Sequence, residues 1–404
     1  MVEVYSKALD KYLRTGRIIG EYKGDSPGPI TIFMGGMHGN EPAGVFALAH
    51  VLDRLKDISP PFKGTMYAIA GNLDALNKGE RYISVDLNRV WNKSDIKKHI
   101  FDNNDEASQR NEIIRTIFEI ISGSEERPFL FDLHTTSSES IPFLGISDTL
   151  RSRDLVNGIH SPIILGLEER MAGTLFNSLN EIGLTSVIFE GGQHDSLSSI
   201  ENHVSVVFEF LKNTGCINPG DIPGFHKYNH RLSKTSSGDR KTYEITYVYR
   251  IKKNEKFKMK PGFVNFEGIE KGEELATNKK GNITSPETGL IFMPLYQKLG
   301  DEGFFIIKRI HNFWLKVSEF MRKLHAEKVF RLLPGIKKNP EENSSYIINT
   351  KIARFMVMNI FHLFGYRREK KEGNTIIVSR REYDSKSPSP EELRDNYKKF
   401  FGLN

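Results

Sequence analysis

His38 and Glu41 lie three residues apart in the segment Gly35-Gly36-Met37-His38-Gly39-Asn40-Glu41-Pro42, directly after the apolar run Ile30–Met34. An imidazole and a carboxylate one helical turn apart can meet the same ion, and a third protein ligand with one open position makes such a site catalytic rather than structural. His134, which closes the run Phe129-Leu130-Phe131-Asp132-Leu133, is the candidate third ligand. With 12 histidines in the chain, one His-x-x-Glu pair is close to what chance supplies. Context sets this pair apart: it is the only one in the sequence, and it sits where a strand pattern gives way to a helical one. One zinc ion per chain, held by His38, Glu41 and His134, would polarise a carbonyl and bring the pKa of water toward neutrality.

Such chemistry needs a base. Glu190 is the best placed, because it follows the buried-strand pattern Thr185–Phe189 and precedes Gly191 and Gly192, which leave room for a substrate. The blander account of Glu190 is a strand-end salt bridge. Arg81-Tyr82-Ile83-Ser84-Val85-Asp86-Leu87-Asn88-Arg89 brings two guanidinium forks and an amide into nine residues. Such forks match carboxylates and can stabilise a developing oxyanion, so Arg81, Asn88 and Arg89 point to a substrate with at least one carboxylate. Asp132, two residues before His134, can hold a ligand imidazole in one tautomer, or simply cap backbone groups at a strand end.

Residues 30 to about 212 alternate short apolar runs with helical periodicity: strands near 30–34, 64–70, 128–133 and 185–190, helices over 41–56, 106–122 and 197–212. That alternation predicts an α/β fold with a mixed, mostly parallel sheet covered by helices on both faces, and it puts the candidate ligands at carboxyl ends of strands. Gly215–Gly238, with Pro219, Pro223 and a polar run, reads as a linker. From Lys241 the period becomes two, and turn signals recur closely to about residue 310, which predicts a small antiparallel β-domain. A helix over 311–332 follows, with Phe313, Val317, Phe320, Met321 and Leu324 on its apolar face. The tail carries an amphipathic stretch over 345–364, a strand at Thr375–Ser379, and a last helix opened by the capping box Ser389-Pro390-Glu391-Glu392. The expected division is a catalytic domain over 1–215, a linker over 216–239, a β-domain with its following helix over 240–332, and an accessory α+β tail over 333–404.

At 404 residues, 38% hydrophobic and 27% charged, the chain has the composition of a large globular protein. Its net charge of +6 is modest for this length and spread over local runs such as Lys252–Lys260 and Arg367–Lys371, with no aromatic-interleaved basic motif accompanying them, which speaks against a nucleic-acid partner and for solvated surface charge. The single cysteine, Cys216, excludes an intramolecular disulfide and a cysteine-based zinc cluster, and fits a reducing compartment. No signal-peptide pattern opens the chain and no window reaches the roughly 18 apolar residues of a membrane span. The expectation is a cytoplasmic protein without a membrane partner, its oligomeric state left open.

The segments Gly-Gly-Met-His-Gly-Asn-Glu-Pro-Ala-Gly (35–44), Arg-Tyr-Ile-x-x-Asp-Leu-Asn-Arg (81–89), Asp-Leu-His-Thr-Thr-Ser (132–137) and Phe-Glu-Gly-Gly (189–192) resemble, in order and spacing, the motifs of the succinylglutamate desuccinylase/aspartoacylase family in the zinc carboxypeptidase clan. Pro261–Phe266, Lys271–Glu273 and Met293–Gln297 through Gly303–Phe305 are similar to that family's C-terminal β-domain. The resemblance covers about 28–310. It implies zinc ligation by His38, Glu41 and His134, general-base work by Glu190, carbonyl polarisation by Arg81, and capture of a substrate carboxylate by Asn88 and Arg89. Tyr296 would correspond to a tyrosine reaching the site from the β-domain. One departure stands out: aspartoacylases carry a further carboxylate-binding arginine shortly before the catalytic glutamate, and Phe176–Phe189 contains none.

The reading is a zinc-dependent amidohydrolase that deacylates an N-acyl amino acid or a similar small carboxylate-bearing amide. A zinc carboxypeptidase or peptidoglycan-type peptidase on the same core is the alternative within the same chemistry. A catalytically idle zinc-bound sensor is disfavoured by the intact Glu190. A biotinyl or lipoyl carrier is disfavoured because residues 270–295, despite their hairpin rhythm, present no lysine in the required turn.

Overall fold

The computed structural model describes residues 1–99, 105–324, 330, 333–340, 345–349, 352, 361–362 and 364–403. Its centre is four parallel strands in the order Thr185–Gln193, Pro128–Thr136, Ser26–Gly35, Lys63–Ala70. Strands buried on both faces read as unbroken apolar runs, and these do. Along Ser26–Gly35, Phe33 enters one core with Leu48, Phe131 and Val207, while Ile32 and Met34 enter the other with Ile113, Ile117 and Leu130. The helices Ala43–Ile58 and Leu197–Thr214 cover the first face, and Asp105–Ser122 and Leu175–Glu181 the second.

The antiparallel region continues this sheet. Phe143–Ile146 pairs antiparallel with Thr185–Gln193, Ile163–Leu165 adds next to it, and Thr242–Arg250, Glu302–Ile310, Gly289–Phe292 and Gly268–Ile269 follow. With Ile18–Lys23 at the far edge this makes an eleven-stranded mixed sheet among the described residues. A three-stranded antiparallel sheet, Lys258–Met259, Glu274–Asn278 and Gly281–Thr284, completes the β-rich part.

Three expectations change. The segment read as a linker carries the helix His226–Thr235, and Cys216, Ile217, Ile222, Phe225 and Leu232 are buried in the first core. Its prolines and polar residues shape turns over a packed surface rather than a free connection. The helix Asn312–Lys323 is present but turned: Phe313, Phe320 and Leu324 are 58%, 62% and 60% exposed, while Ser318 and Arg322 face inward. The Arg322 guanidinium binds Asp148 and Asp384 at 3.1 Å each, and those ion pairs fix the helix's rotation against its apolar stripe. Of the stretch 345–364, Ser345–Asn349 is a strand, and most of the remainder lies outside the described residues.

The tail packs on the body. Ile336–Lys338, Ser345–Asn349, Thr375–Ser379 and Arg368–Glu372 form a four-stranded antiparallel sheet. The last helix, Pro390–Phe401, starts with the expected capping box and buries Leu393, Tyr397, Phe400 and Phe401 in the second core. The Tyr397 hydroxyl donates to the Ile114 carbonyl at 3.0 Å. Among the described residues, no helix is long and apolar enough to cross a membrane.

Candidate metal centre and active site

His38 and Glu41 are delivered by the turn between the strand Ser26–Gly35 and the helix Ala43–Ile58. That turn is tight: Gly36 adopts φ +75, and a Cβ on Gly35 would stand 2.7 Å from the backbone of Gly44 and Val45. Glycine is the residue that tolerates both conditions. His134 comes from the adjacent parallel strand, and Glu190 from the next one, directly opposite His134 in register. The four side chains thus converge at the carboxyl ends of three neighbouring strands, the usual crevice of an open α/β sheet.

One ligand atom from each of His38, Glu41 and His134 lies within 4.8 Å of the others, and all three residues are buried. Glu41 Oε1 is 2.9 Å from His38 Nδ1 and Glu41 Oε2 is 3.1 Å from His134 Nδ1. The far nitrogen of each ring faces a carboxylate: His38 Nε2 is 3.1 Å from Asp86, and His134 Nε2 is 3.0 Å from Asp132. Orienting a ligand imidazole through its second nitrogen is the usual support of a metal-binding histidine. Two imidazoles and a carboxylate, without thiolates, are a donor set suited to zinc. The buried Glu190 Oε2, which has no hydrogen-bond partner, leaves acceptor capacity for something not supplied by the protein. The residues therefore fit a divalent ion.

Burial pushes the Glu41 carboxyl up, but His38 and His134 outweigh it and hold Glu41 well below the usual carboxylate range. Glu190 goes the other way. Burial, reinforced by Glu41 and Asp132, pushes it up to about 8 against the opposing His134 and Arg81. Two nearby carboxylates with oppositely displaced affinities for protons are a pattern of acid–base sites.

Arg81 is clamped by Asp86, which accepts from its Nε at 3.2 Å and from its NH2 at 2.9 Å, while NH1 points to Glu41 Oε1 at 3.6 Å. Arg89 lines the same cleft, with NH2 donating to Glu302 at 2.9 Å and NH1 to the Asn88 carbonyl at 2.9 Å. Asn88 Oδ1 accepts from the Leu175 backbone at 3.2 Å. The loop carrying these residues is pinned by Glu106, whose carboxylate accepts from the backbone N–H groups of Ile83, Ser84 and Val85 at 2.6, 3.0 and 3.2 Å.

The structure brings His38, Glu41, His134, Glu190, Arg81, Asn88 and Arg89 together around one cleft, with Asp132 behind His134. It does not bring Tyr296. That hydroxyl donates to the Lys260 carbonyl at 2.9 Å and accepts from Phe263 N–H at 2.9 Å, so the ring is tied to the β-rich part. Its neighbours Leu295 and Gln297 line the cleft instead, and Gln297 accepts from Asn40 at 3.4 Å. Asp86, Glu106, His194 and Glu302 escaped the sequence reading. Asp86 had a signal, an acid between two candidate arginines; Glu302 and His194 had none, since only folding brings them to the cleft.

The profile of the succinylglutamate desuccinylase/aspartoacylase catalytic domain matches residues 27–212. A Xenopus tropicalis aspartoacylase is 32% identical over 120 residues, 30% of this chain and 38% of that protein. A succinylglutamate desuccinylase from Serratia proteamaculans is 28% identical over 116 residues, 28% of this chain and 35% of that one. The aligned stretch thus spans little more than a third of either relative. A solved succinylglutamate desuccinylase/aspartoacylase from Rhodobacter sphaeroides superposes with a TM-score of 0.54 at 15% identity, covering 73% of this chain and 88% of that chain. The succinylglutamate desuccinylase of Vibrio cholerae gives 0.52 at 14% identity, covering 72% and 85%. At such identities the structures speak for a shared fold. Residues 27–212 thus carry a catalytic domain of the succinylglutamate desuccinylase/aspartoacylase family.

Proposed function

We propose that this protein is a zinc-dependent amidohydrolase that cleaves the amide bond of an N-acyl amino acid, with the ion held by His38, Glu41 and His134. The observation that carries the reading is the meeting of these three side chains with the buried Glu190 in one cleft. When bound, the ion supplies Lewis acidity toward the scissile carbonyl and toward water.

The chain's own groups do the rest. Asn88 and Arg89 hold the substrate carboxylate. Glu190, ionised, takes the proton from the attacking water and then delivers it to the leaving amine nitrogen. Arg81, locked by Asp86 with NH1 toward the cluster, meets the negative charge that develops on the carbonyl oxygen. Asp86 and Asp132 keep the two imidazoles oriented.

The relatives' names carry the same chemistry, deacylation of a small acylated amino acid. The test is amine release from a panel of N-acyl amino acids by zinc-loaded protein. Release from at least one of them, abolished by chelation and restored by zinc, is the expected result. Cleavage of peptides alone would move the reading to a carboxypeptidase.

A further inference from the structure

The cleft that holds the metal-type cluster has a second, apolar half that this chemistry does not use. Its floor is Phe143, Leu167 and Phe305, members of one buried core, and Met171 and Met293 pack on that core while staying half-exposed. Leu295 beside them is also half-exposed and lines the cleft. Three incompletely covered apolar side chains in a concave site gain by being covered, and two are methionines, which adapt to differently shaped guests.

The position of this surface says which part of a substrate it meets. Met171 opens the turn 171–176, which sits on the Asn88–Arg89 segment: Trp91 N–H donates to the Gly173 carbonyl at 3.0 Å and Leu175 N–H to Asn88 Oδ1 at 3.2 Å. Gly173, at φ +77, is pressed so closely that a Cβ would lie 2.3 Å from the Arg89 carbonyl oxygen. The Met171 side of the apolar surface therefore adjoins Asn88 and Arg89, the end of the cleft proposed to hold the amino-acid carboxylate, where it can cover the side chain of the same amino acid.

Charge bookkeeping agrees. Among the described residues that line the cleft, the arginines are Arg81 and Arg89, and no lysine joins them. Arg81 is engaged by Asp86, while Arg89 gives NH2 to Glu302 and NH1 to a backbone carbonyl. That leaves cationic surface for one substrate carboxylate. A second would meet Glu190 or Glu302 in a partly desolvated space, an uncompensated charge.

We infer that the substrate is an N-acyl derivative of an apolar amino acid, with one carboxylate at Asn88–Arg89 and an aliphatic or thioether side chain seated on Met171, Met293 and Leu295. The inference rests on the deacylase reading and narrows it away from dicarboxylic substrates.

The test compares N-acetyl-leucine and N-acetyl-methionine with N-acetylaspartate, N-succinylglutamate and N-acetyl-lysine, using the zinc-loaded full chain. The apolar pair should show kcat/KM higher on the order of 10–100-fold, the range that apolar complementarity can supply. Met171→Arg should reverse that order by adding the cation the cleft lacks. Preference for a dicarboxylate or for N-acetyl-lysine by the unmodified chain overturns the inference and leaves the deacylase reading standing. If no amide is hydrolysed, that reading fails, and calorimetry with Glu190→Gln decides the seat. Tighter binding of N-acetyl-leucine than of N-acetylaspartate upholds it; equal or absent binding overturns it.

Discussion

Two buried polar clusters of this molecule follow opposite rules. Around Asp148, every acid is paired with arginines: Arg153, Arg322 and Arg367 contact Asp148, and Arg322 and Arg380 contact Asp384. Around Glu41, acids meet two histidines and one arginine, Arg81, while Glu190 Oε2 has no partner and a cleft opens onto the group. Burial pushes both Asp148 and Glu190 up. The three arginines reverse this for Asp148 and hold it well below the carboxylate range, whereas Glu190 ends at about 8. A displaced pKa does not by itself mark a functional site. What separates the clusters is the unfilled carboxylate capacity beside open space in one and carboxylates saturated by arginines in the other.

The comparison breaks most severely if the histidines do not bind metal. His38→Ala or His134→Ala should each reduce zinc content from about one per chain to near zero, read by metal analysis after dialysis, because two remaining protein ligands seldom retain the ion. Full occupancy in both variants would make the Glu41 group another structural cluster.

Glu190→Gln comes next. It should keep the zinc and lower kcat by about 10²–10⁴, the range of a lost general base, and flatten the acidic limb of the pH–rate profile. In metal-free protein the same substitution should leave Tm unchanged or higher, since it removes a buried carboxyl that lacks partners. A large drop in Tm would give Glu190 the role that Asp148 has.

Asp148→Ala tests the other side. Leaving Arg322 and Arg367 buried without that carboxylate should cost about 3–5 kcal/mol of stability, read by denaturant unfolding, while the zinc content of the folded protein stays at wild type. In the unmodified chain, the folded-state pKa of Asp148 is depressed. Its contribution is therefore fully present above the ordinary carboxylate pKa of about 4 and lost as pH falls below it. Asp148→Ala should remove that part of the acid sensitivity.

The finest distinction lies inside the active cleft. Arg81→Ala should lower kcat by about 10²–10³, as loss of an oxyanion contact does, whereas Arg89→Ala should chiefly raise KM. Identical kinetic profiles would show that the two forks do not have separate tasks.

The residues that gather at the candidate site were legible because their patterns are local. His38 and Glu41 share one turn, His134 and Glu190 each terminate an apolar run, and Arg81, Asn88 and Arg89 share one loop. The elements that deliver them were legible from the same periodicities; the helices Ala43–Ile58, Asp105–Ser122 and Leu197–Thr214 fall within two residues of their expected limits at both ends. Tyr296 was misplaced because its hydroxyl is held by the backbone of Lys260 and Phe263, a long-range pairing that a matching motif does not reveal.

What the sequence determined by itself is the set of groups that can do chemistry and the α/β scaffold that brings strand ends together, since period and turn chemistry act over a few residues. Tertiary structure alone decided the rest. It set Glu302 against Arg89 across 213 positions, turned the helix Asn312–Lys323 so that Arg322 reaches Asp148, and seated the last helix in the second core. Long-range charge pairing and core packing depend on which surfaces meet, and nothing in a local pattern encodes that meeting.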